Sequence, residues 1–163
     1  MLARAMTSSD LNFLTVLDLT SEAETEALGR RIADALRPGD MVALYGGLGA
    51  GKTALARSIV RRFLPQEDVP SPTFTLVQTY ETPAFAIWHV DLYRLKDKSE
   101  LTELGLDEAM DAGVLLVEWP ERMAELLPRD RLDIMFEMTD DAAHRVAKVV
   151  ARGSWVARVG QLS

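Results

Sequence analysis

The stretch GGLGAGKT (46–53) decides how this chain folds, because it joins the apolar segment MVALY (41–45) to the helix-like segment KTALARSIVRRFL (52–64). Its pattern, G-x-x-x-x-G-K-[ST], places glycine amides around a phosphate, a lysine at the β- and γ-phosphates and a hydroxyl at Mg²⁺. The motif needs a strand before it and a helix after it, and both are present in the pattern. We therefore predict that the chain binds a nucleoside triphosphate. The loop residues predicted to contact the nucleotide are Gly46, Gly47, Leu48, Gly49, Ala50, Gly51, Lys52, Thr53 and Ala54.

Segments with strand character and segments with helix character alternate on both sides of this loop. Strands are predicted at 13–19, 41–45, 74–80, 85–90, 114–119, 131–138 and 144–151, and WVARV (155–159) is predicted as an edge strand or a tail. Helices are predicted after the capping box of Ser21 and Glu24, over 52–64, over 98–112 with a break at Gly105, and from Pro120. This order predicts one α/β domain over residues 1–163. We expect a three-layer P-loop nucleotide-binding fold whose mixed sheet has a parallel centre and antiparallel edges.

The composition is that of a globular protein, since 48% of the 163 residues are hydrophobic and 26% are charged. The net charge of −7 argues against a broad surface for nucleic acid. The chain has no cysteine, which excludes disulfides, thiolate zinc sites and cysteine nucleophiles. The N-terminal MLARAMTSSDLNFL lacks the apolar run of a signal peptide, and no segment approaches the ~18 apolar residues of a membrane span. We expect a cytoplasmic protein with no membrane partner.

Two acidic residues end strands that are predicted to point towards the phosphate loop. Glu118 follows the apolar run VLLV, and Asp91 follows FAIWHV. Phosphate-loop enzymes need an acid at a strand end to hold the Mg²⁺ shell and a further group to position water. A carboxylate after so apolar a strand is costly to bury unless a cation or hydrogen bonds meet it. We predict Lys52, Asp91 and Glu118 as catalytic residues and Thr53 with Glu118 as Mg²⁺ ligands, and either acid can be the one nearer to the water.

Three neighbouring residues each allow two interpretations. Thr73 lies in PSPTF (70–74), where GTPases keep a threonine that senses the γ-phosphate, but it also fits a solvated proline turn. Trp119 either walls the nucleotide site or fills the core. His89 forms an H-x-D pair with Asp91, but the only other histidine is His144 and there is no cysteine. We therefore interpret His89 as a packed strand histidine and not as a zinc ligand.

The absence of other motifs narrows the class of enzyme. The sequence has no [NT]-K-x-D motif for reading guanine and no D-x-x-G after a candidate switch strand. A classical GTPase is therefore disfavoured, and adenine is the expected base. The arginines are scattered and no insertion has the length of a lid, which disfavours a small-molecule kinase.

Four segments, GGLGAGKT, SPTFTLVQTYE, HVDLYRL and ELGLDEAMDAGVLLVEWPERM, resemble in order and spacing the TsaE family, also called YjeE. The resemblance covers about residues 20–137, and the flanking strands fit by layout more than by identity. It implies an α/β nucleotide-binding domain that hydrolyses ATP slowly with Mg²⁺. It also implies a role in forming N6-threonylcarbamoyladenosine in tRNA, with the TsaD and TsaB proteins as partners. ATP turnover would then reset the TsaD–TsaB complex, and tRNA would be met indirectly through that complex.

Matching positions also imply residue roles. By the resemblance, Lys52 binds phosphate, and Thr53 and Glu118 bind Mg²⁺. The resemblance also implies that Thr73 lies in the switch-like loop, that Asp91 orients water or the metal shell, and that Trp119 lies by the site. Two positions depart from the family pattern, because members often have an acid in place of Gly47 and a second Thr or Ser in place of Ala54. We expect these differences to tune loop dynamics or partner contacts without abolishing binding.

Three functions are compatible with these residues. The first is an ATPase subunit that serves tRNA modification through protein partners. The second is a kinase that phosphorylates a small molecule or a protein from the same P-loop. The third is a binding module in which ATP is only a structural ligand.

Overall fold

The computed structural model describes residues 12–163, so residues 1–11, where the sequence predicts no signal peptide, lie outside the described part. The strands are β1 (Asn12–Leu19), β2 (Met41–Tyr45), β3 (Val77–Glu81), β4 (Ala86–Asp91), β5 (Val114–Glu118), β6 (Arg131–Met138) and β7 (Arg145–Arg152). The α-helices are α1 (Glu22–Ala35), α2 (Lys52–Phe63), α3 (Ser99–Glu103) and α4 (Leu106–Ala112), and 3₁₀ helices cover Pro120–Leu126 and Gly153–Leu162. No helix within residues 12–163 has both the length and the apolar character needed to cross a membrane.

The strands form one seven-stranded sheet in the order β1-β7-β6-β2-β5-β4-β3. The four central strands β6, β2, β5 and β4 are parallel to their neighbours in that set, whereas β1, β7 and β3 pair antiparallel at the sides. This confirms the predicted mixed sheet with a parallel centre and antiparallel edges. Parallel strands end at the same edge, so the carboxyl ends of β2, β4 and β5 come together.

Both faces of the central sheet are covered, as the predicted three layers require. Val42 and Leu44 of β2 belong to a buried cluster with α1 and α2, while Met41 and Ala43 belong to a second cluster with α3 and α4. Successive strand residues point to opposite faces. All five residues of β5 are buried, which explains why VLLVE shows no polar alternation.

Two local predictions were wrong, and one predicted helix differs in type. The strand predicted at 74–80 begins only at Val77, because Leu76 has a φ of 65° and its N–H donates to the carbonyl of Pro72 (2.8 Å) in a turn. The helix predicted from Pro120 is present over Pro120–Leu126 but is a 3₁₀ helix, and Trp119 before it has a φ of 58°. WVARV is neither an edge strand nor a tail, since it lies within the 3₁₀ helix Gly153–Leu162.

The C-terminal 3₁₀ helix is held to the domain by a buried ion pair. Arg158 donates to both carboxylate oxygens of Asp40 (2.7 and 3.0 Å) and to the carbonyl of Ala35 (2.8 Å), and its guanidinium lies 3.9 Å from the ring centroid of Trp155. Arg158 and Trp155 are both fully or almost fully buried. The bidentate pair therefore connects the end of the chain to the turn before β2.

Replacing Arg158 by Leu is expected to lower the free energy of unfolding by about 3 kcal/mol or more, because Asp40 would stay buried without its cation. Arg62→Leu is the matched control, since Arg62 pairs with Asp34 at the exposed surface and should cost less than about 1 kcal/mol. Denaturant unfolding followed by circular dichroism measures both. Equal losses in the two variants would contradict the stabilising role of the buried pair.

Candidate functional site

The glycine loop between β2 and α2 has a backbone that only glycine adopts easily. Gly46, Gly49 and Gly51 have φ angles of 146°, 74° and 118°, in the left-handed region where a Cβ atom is strained. A Cβ on Gly46 would also lie 3.0 Å from the Cβ of Ala50 and 3.3 Å from the carbonyl oxygen of Phe136. The glycines of the motif are therefore required by the turn itself.

Lys52 begins α2 and is turned back over the loop. Its Nζ atom donates to the carbonyl oxygens of Gly46 (2.5 Å) and Gly47 (2.7 Å) and lies 4.3 Å from the ring centroid of Trp119. Burial lowers the pKa of Lys52, while the carboxylates of Glu118 and Asp91 act in the opposite direction. The first turn of α2 contains no acidic residue. The helix end and the lysine thus present positive charge to an entering anion.

Glu118 ends β5 directly opposite the start of α2. The hydroxyl of Thr53 lies 2.9 and 3.0 Å from its two carboxylate oxygens, and Nε2 of His89 lies 2.6 Å from Oε2. Only 2% of Glu118 is exposed. The hydroxyl and the carboxylate together form a pair of hard oxygen donors of the kind that Mg²⁺ takes.

Asp91 lies beside Glu118, because β4 and β5 are parallel and these two residues are paired in register. Its Oδ1 atom accepts the N–H of Tyr93 (2.9 Å). Burial raises the pKa of Asp91, the hydrogen bond from Tyr93 opposes this rise, and the charge of Glu118 adds to it. The sheet register therefore places both strand-end acids within one small region.

These residues surround a cavity of about 500 Å³. Every predicted site residue lines this cavity except Gly46 and Gly47, which instead hold the ammonium of Lys52 through their carbonyl groups. The lining residues that the sequence predicted are Leu48, Gly49, Ala50, Gly51, Lys52, Thr53, Ala54, Thr73, Asp91, Glu118 and Trp119. The lining residues that it did not predict are Ser71, Tyr93 and Arg94.

The segment before β3 forms one wall of the cavity. Thr73 and Ser71 share a hydrogen bond of 2.7 Å between their hydroxyls, and both face the cavity. The next residue, Phe74, is 82% exposed, with the guanidinium of Arg94 4.4 Å from its ring centroid. Thr73 therefore lies at the site and is not a remote turn residue.

Trp119 also lines the cavity. Its ring lies 4.9 Å from that of Tyr93 and also packs against the second core cluster, so it serves both of the alternatives considered for it. Its left-handed backbone is uncommon for a bulky residue and is found mainly where the surroundings impose it. The string HVDLY places Tyr93 two residues after Asp91. That Tyr93 lines the cavity depends on the turn after β4, which the sequence pattern does not show.

Arg145 is a further residue that sequence reasoning missed. It begins β7 and donates to the carbonyls of Ala50 (3.2 Å) and Gly49 (3.4 Å), and within the β6–β7 turn it donates to Ala142. Lys52 therefore holds the first carbonyls of the glycine loop, and Arg145 holds later ones. Behind Arg145 lies a second cavity of about 420 Å³ between α1, α2 and the β6–β7 turn.

Arg145→Gln is expected to speed amide hydrogen exchange at residues 49–51, because the loop would lose two carbonyl contacts that restrain it. Lys148→Gln on the same strand is the control, since Lys148 pairs with Glu137 at the surface. Exchange monitored by mass spectrometry compares the two variants with the parent protein. Unchanged exchange in the loop of the Arg145 variant would show that Arg145 does not restrain it.

A family model described as "Threonylcarbamoyl adenosine biosynthesis protein TsaE" matches residues 19–147, a range that includes the loop and both strand-end acids. The chain belongs to the TsaE family. A curated relative from Rickettsia bellii, named tRNA threonylcarbamoyladenosine biosynthesis protein TsaE, is 43% identical over 132 residues, which are 80% of this chain and 90% of the relative. A relative of the same name from Bacillus subtilis is 40% identical over 119 residues, 72% of this chain and 74% of the relative.

The fold of this TsaE-family chain is also similar to a solved structure. The crystal structure of Bacillus subtilis YdiB superimposes with a TM-score of 0.79 and 28% identity, covering 93% of this chain and 95% of that one. The similarity therefore extends over the sheet and the edge strands as well as the loop. The resemblance inferred from four segments is confirmed at the level of the family and the fold.

Proposed function

We propose that this TsaE-family protein is a Mg²⁺-dependent ATPase that serves the formation of threonylcarbamoyladenosine in tRNA. One observation carries the enzymatic part of the proposal: Lys52, Thr53, Asp91 and Glu118 line one cavity at the N-terminal end of α2. The family to which the chain belongs, described as a threonylcarbamoyl adenosine biosynthesis protein, supports the biological part. Such a role belongs in the cytoplasm.

The donor set fits a nucleotide with its metal ion. The three left-handed glycines have no side chain of their own, so a phosphate can approach the backbone closely at these positions. No group of three or more His, Cys, Asp or Glu able to hold a metal occurs within residues 12–163. Mg²⁺ is suited to such a site, because it is commonly held by one or two protein oxygens together with phosphates and water. Bound there, Mg²⁺ would neutralise charge on the β- and γ-phosphate oxygens.

The contacts of Glu118 and Asp91 support a different proposed role for each acid. Both oxygens of Glu118 already accept hydrogen bonds from Thr53 and His89, so we assign Glu118 with Thr53 to the metal shell. Asp91 lies next to Glu118 with one oxygen on the N–H of Tyr93, and we assign it to orienting the attacking water. Lys52 would transfer its hydrogen bonds from the loop carbonyls to the phosphates and stabilise the charge that develops in the transition state.

The surrounding residues complete the proposed nucleotide site. Gly49, Gly51 and Ala54 border both cavities, so a nucleotide with its phosphates at Lys52 can extend its nucleoside into the cavity beside Arg145. Thr73 lines the cavity near Lys52, where we propose that its hydroxyl responds to the presence of the γ-phosphate. Adenine is the proposed base because the guanine-reading motif is absent from the sequence.

The proposed partners are the TsaD and TsaB proteins. The net charge of −7 disfavours independent binding of tRNA through this chain, so we propose that tRNA is met through the partner complex. ATP hydrolysis would then reset that complex between turnovers. Phe74 is largely exposed beside Thr73, which gives a partner access to the wall of the site.

Lys52→Ala is expected to lower kcat for ATP hydrolysis by about 10²-fold or more, because charge on the transferred phosphoryl group would lose its main cationic partner. Lys98→Ala is the control, since Lys98 pairs with Glu125 at the surface. Phosphate release is measured with Mg²⁺, alone and with added TsaB and TsaD, which should stimulate it. Near-parental turnover in Lys52→Ala would refute the assignment, and faster phosphate transfer to a metabolite or protein than to water would favour a kinase.

Asp91→Asn is expected to abolish hydrolysis while nucleotide binding remains, because the amide can still accept the N–H of Tyr93 but carries no charge for orienting water. Binding is measured by calorimetry with a non-hydrolysable ATP analogue. The threonylcarbamoyladenosine content of tRNA is measured in cells that carry only this variant. Normal tRNA modification without hydrolysis would show that ATP acts as a structural ligand, as in a binding module.

A further inference from the structure

His89 lies fully buried in β4, two residues before Asp91. The structure confirms the predicted strand histidine but adds a specific contact, because Nε2 lies 2.6 Å from Oε2 of Glu118. His89, Asp91 and Glu118 lie on the face of the sheet that packs against α2. Side chains two positions apart in a strand share a face, and Ile87 of β4 and Leu116 of β5 belong to the core cluster that contains the buried residues of α2.

The surroundings of the ring determine its tautomer. Nδ1 is buried and has no hydrogen-bond partner. Nδ1 therefore lacks a partner in either tautomer, and the contact at Nε2 decides between them. A carboxylate oxygen only accepts hydrogen bonds, so Nε2 carries the proton and donates a hydrogen bond to Glu118.

Glu118 needs a second donor in addition to Thr53. The hydroxyl of Thr53 lies within 3.0 Å of both carboxylate oxygens but has a single proton, so it serves only one oxygen at a time. His89 serves Oε2 from the neighbouring strand, whereas Thr53 approaches from α2. A glutamate held from two directions loses rotational freedom before it meets a cation, and this reduces the ordering cost of binding.

We propose that His89 is a positioning residue that orients the carboxylate of Glu118 for a divalent cation at the bound phosphates. This inference rests on the proposed function, because it assigns His89 to the same metal shell. Hydrogen-bonding partners of metal ligands commonly change metal affinity by about 10–100-fold when they are removed. His89 does not touch the nucleotide in this proposal and acts only through Glu118.

The test measures Mg²⁺ binding directly. Mg²⁺ is titrated calorimetrically into protein saturated with a non-hydrolysable ATP analogue, and affinity for the analogue is measured separately in EDTA. His89→Leu should weaken Mg²⁺ binding by about 10–100-fold and leave the affinity in EDTA unchanged. His89→Gln should recover most of the Mg²⁺ affinity, because its terminal amide can donate from a position close to that of Nε2. Ile87→Ala, a buried residue on the same face of β4, controls for lost packing and should leave Mg²⁺ affinity unchanged.

A double-mutant comparison separates positioning from packing. If His89 acts through Glu118, His89→Leu combined with Glu118→Gln should bind Mg²⁺ as Glu118→Gln alone does. Additive losses, or equal weakening with and without Mg²⁺, would overturn the proposal. Should the Leu variant fail to fold, His89→Asn replaces it, since its shorter amide does not reach Oε2. Absence of Mg²⁺-dependent binding in the parent protein would overturn the proposed function itself, whereas parental binding in every His89 variant would overturn only the role of His89.

Discussion

The parallel alignment of β2, β5 and β4 is the constraint on which the rest of the structure depends. Because their carboxyl ends meet at one edge, the glycine loop after β2 and the two acids that end β4 and β5 must share the same space. The loop can turn there only because three of its glycines adopt left-handed backbone angles. The start of α2 then points its positive end at the acids, and the cavity forms between them.

The cavity brings three buried charged side chains together in one place. Lys52, Asp91 and Glu118 are each at most 5% exposed, although charged groups of this kind are costly to bury. Their opposite signs and their hydrogen bonds compensate part of that cost, and the burial raises the pKa of Asp91 and lowers that of Lys52. This arrangement of charge supports our proposal of a ligand that brings both anionic oxygens and a cation. The ion pair of Arg158 and Asp40 differs, because it is bidentate and lines neither of the two cavities described above.

Local patterns predicted the parts of the structure that depend on local chemistry. The glycine spacing, the strand before it and the helix after it identified the loop, and uninterrupted apolar runs identified the buried parallel strand β5. The two acids were found because each follows such a run. The turn at 74–76 was missed because a left-handed Leu76 has no distinct local signal, and the helix Gly153–Leu162 was interpreted as a strand or a tail. The helical spacing of Trp155, Arg158 and Leu162 was the available clue for the second of these.

The sequence by itself determined the glycine loop, the mixed α/β architecture and the family, because these follow from residue types at fixed spacings along the chain. Only the tertiary structure decided which side chains from distant parts of the chain come into contact. The hydrogen bond of His89 to Glu118 depends on the register of β4 against β5, and the contact of Arg145 with the loop depends on the β6–β7 turn reaching residues almost a hundred positions earlier. Such contacts join elements far apart in the chain, so their geometry is set by packing and strand register, which no single segment encodes.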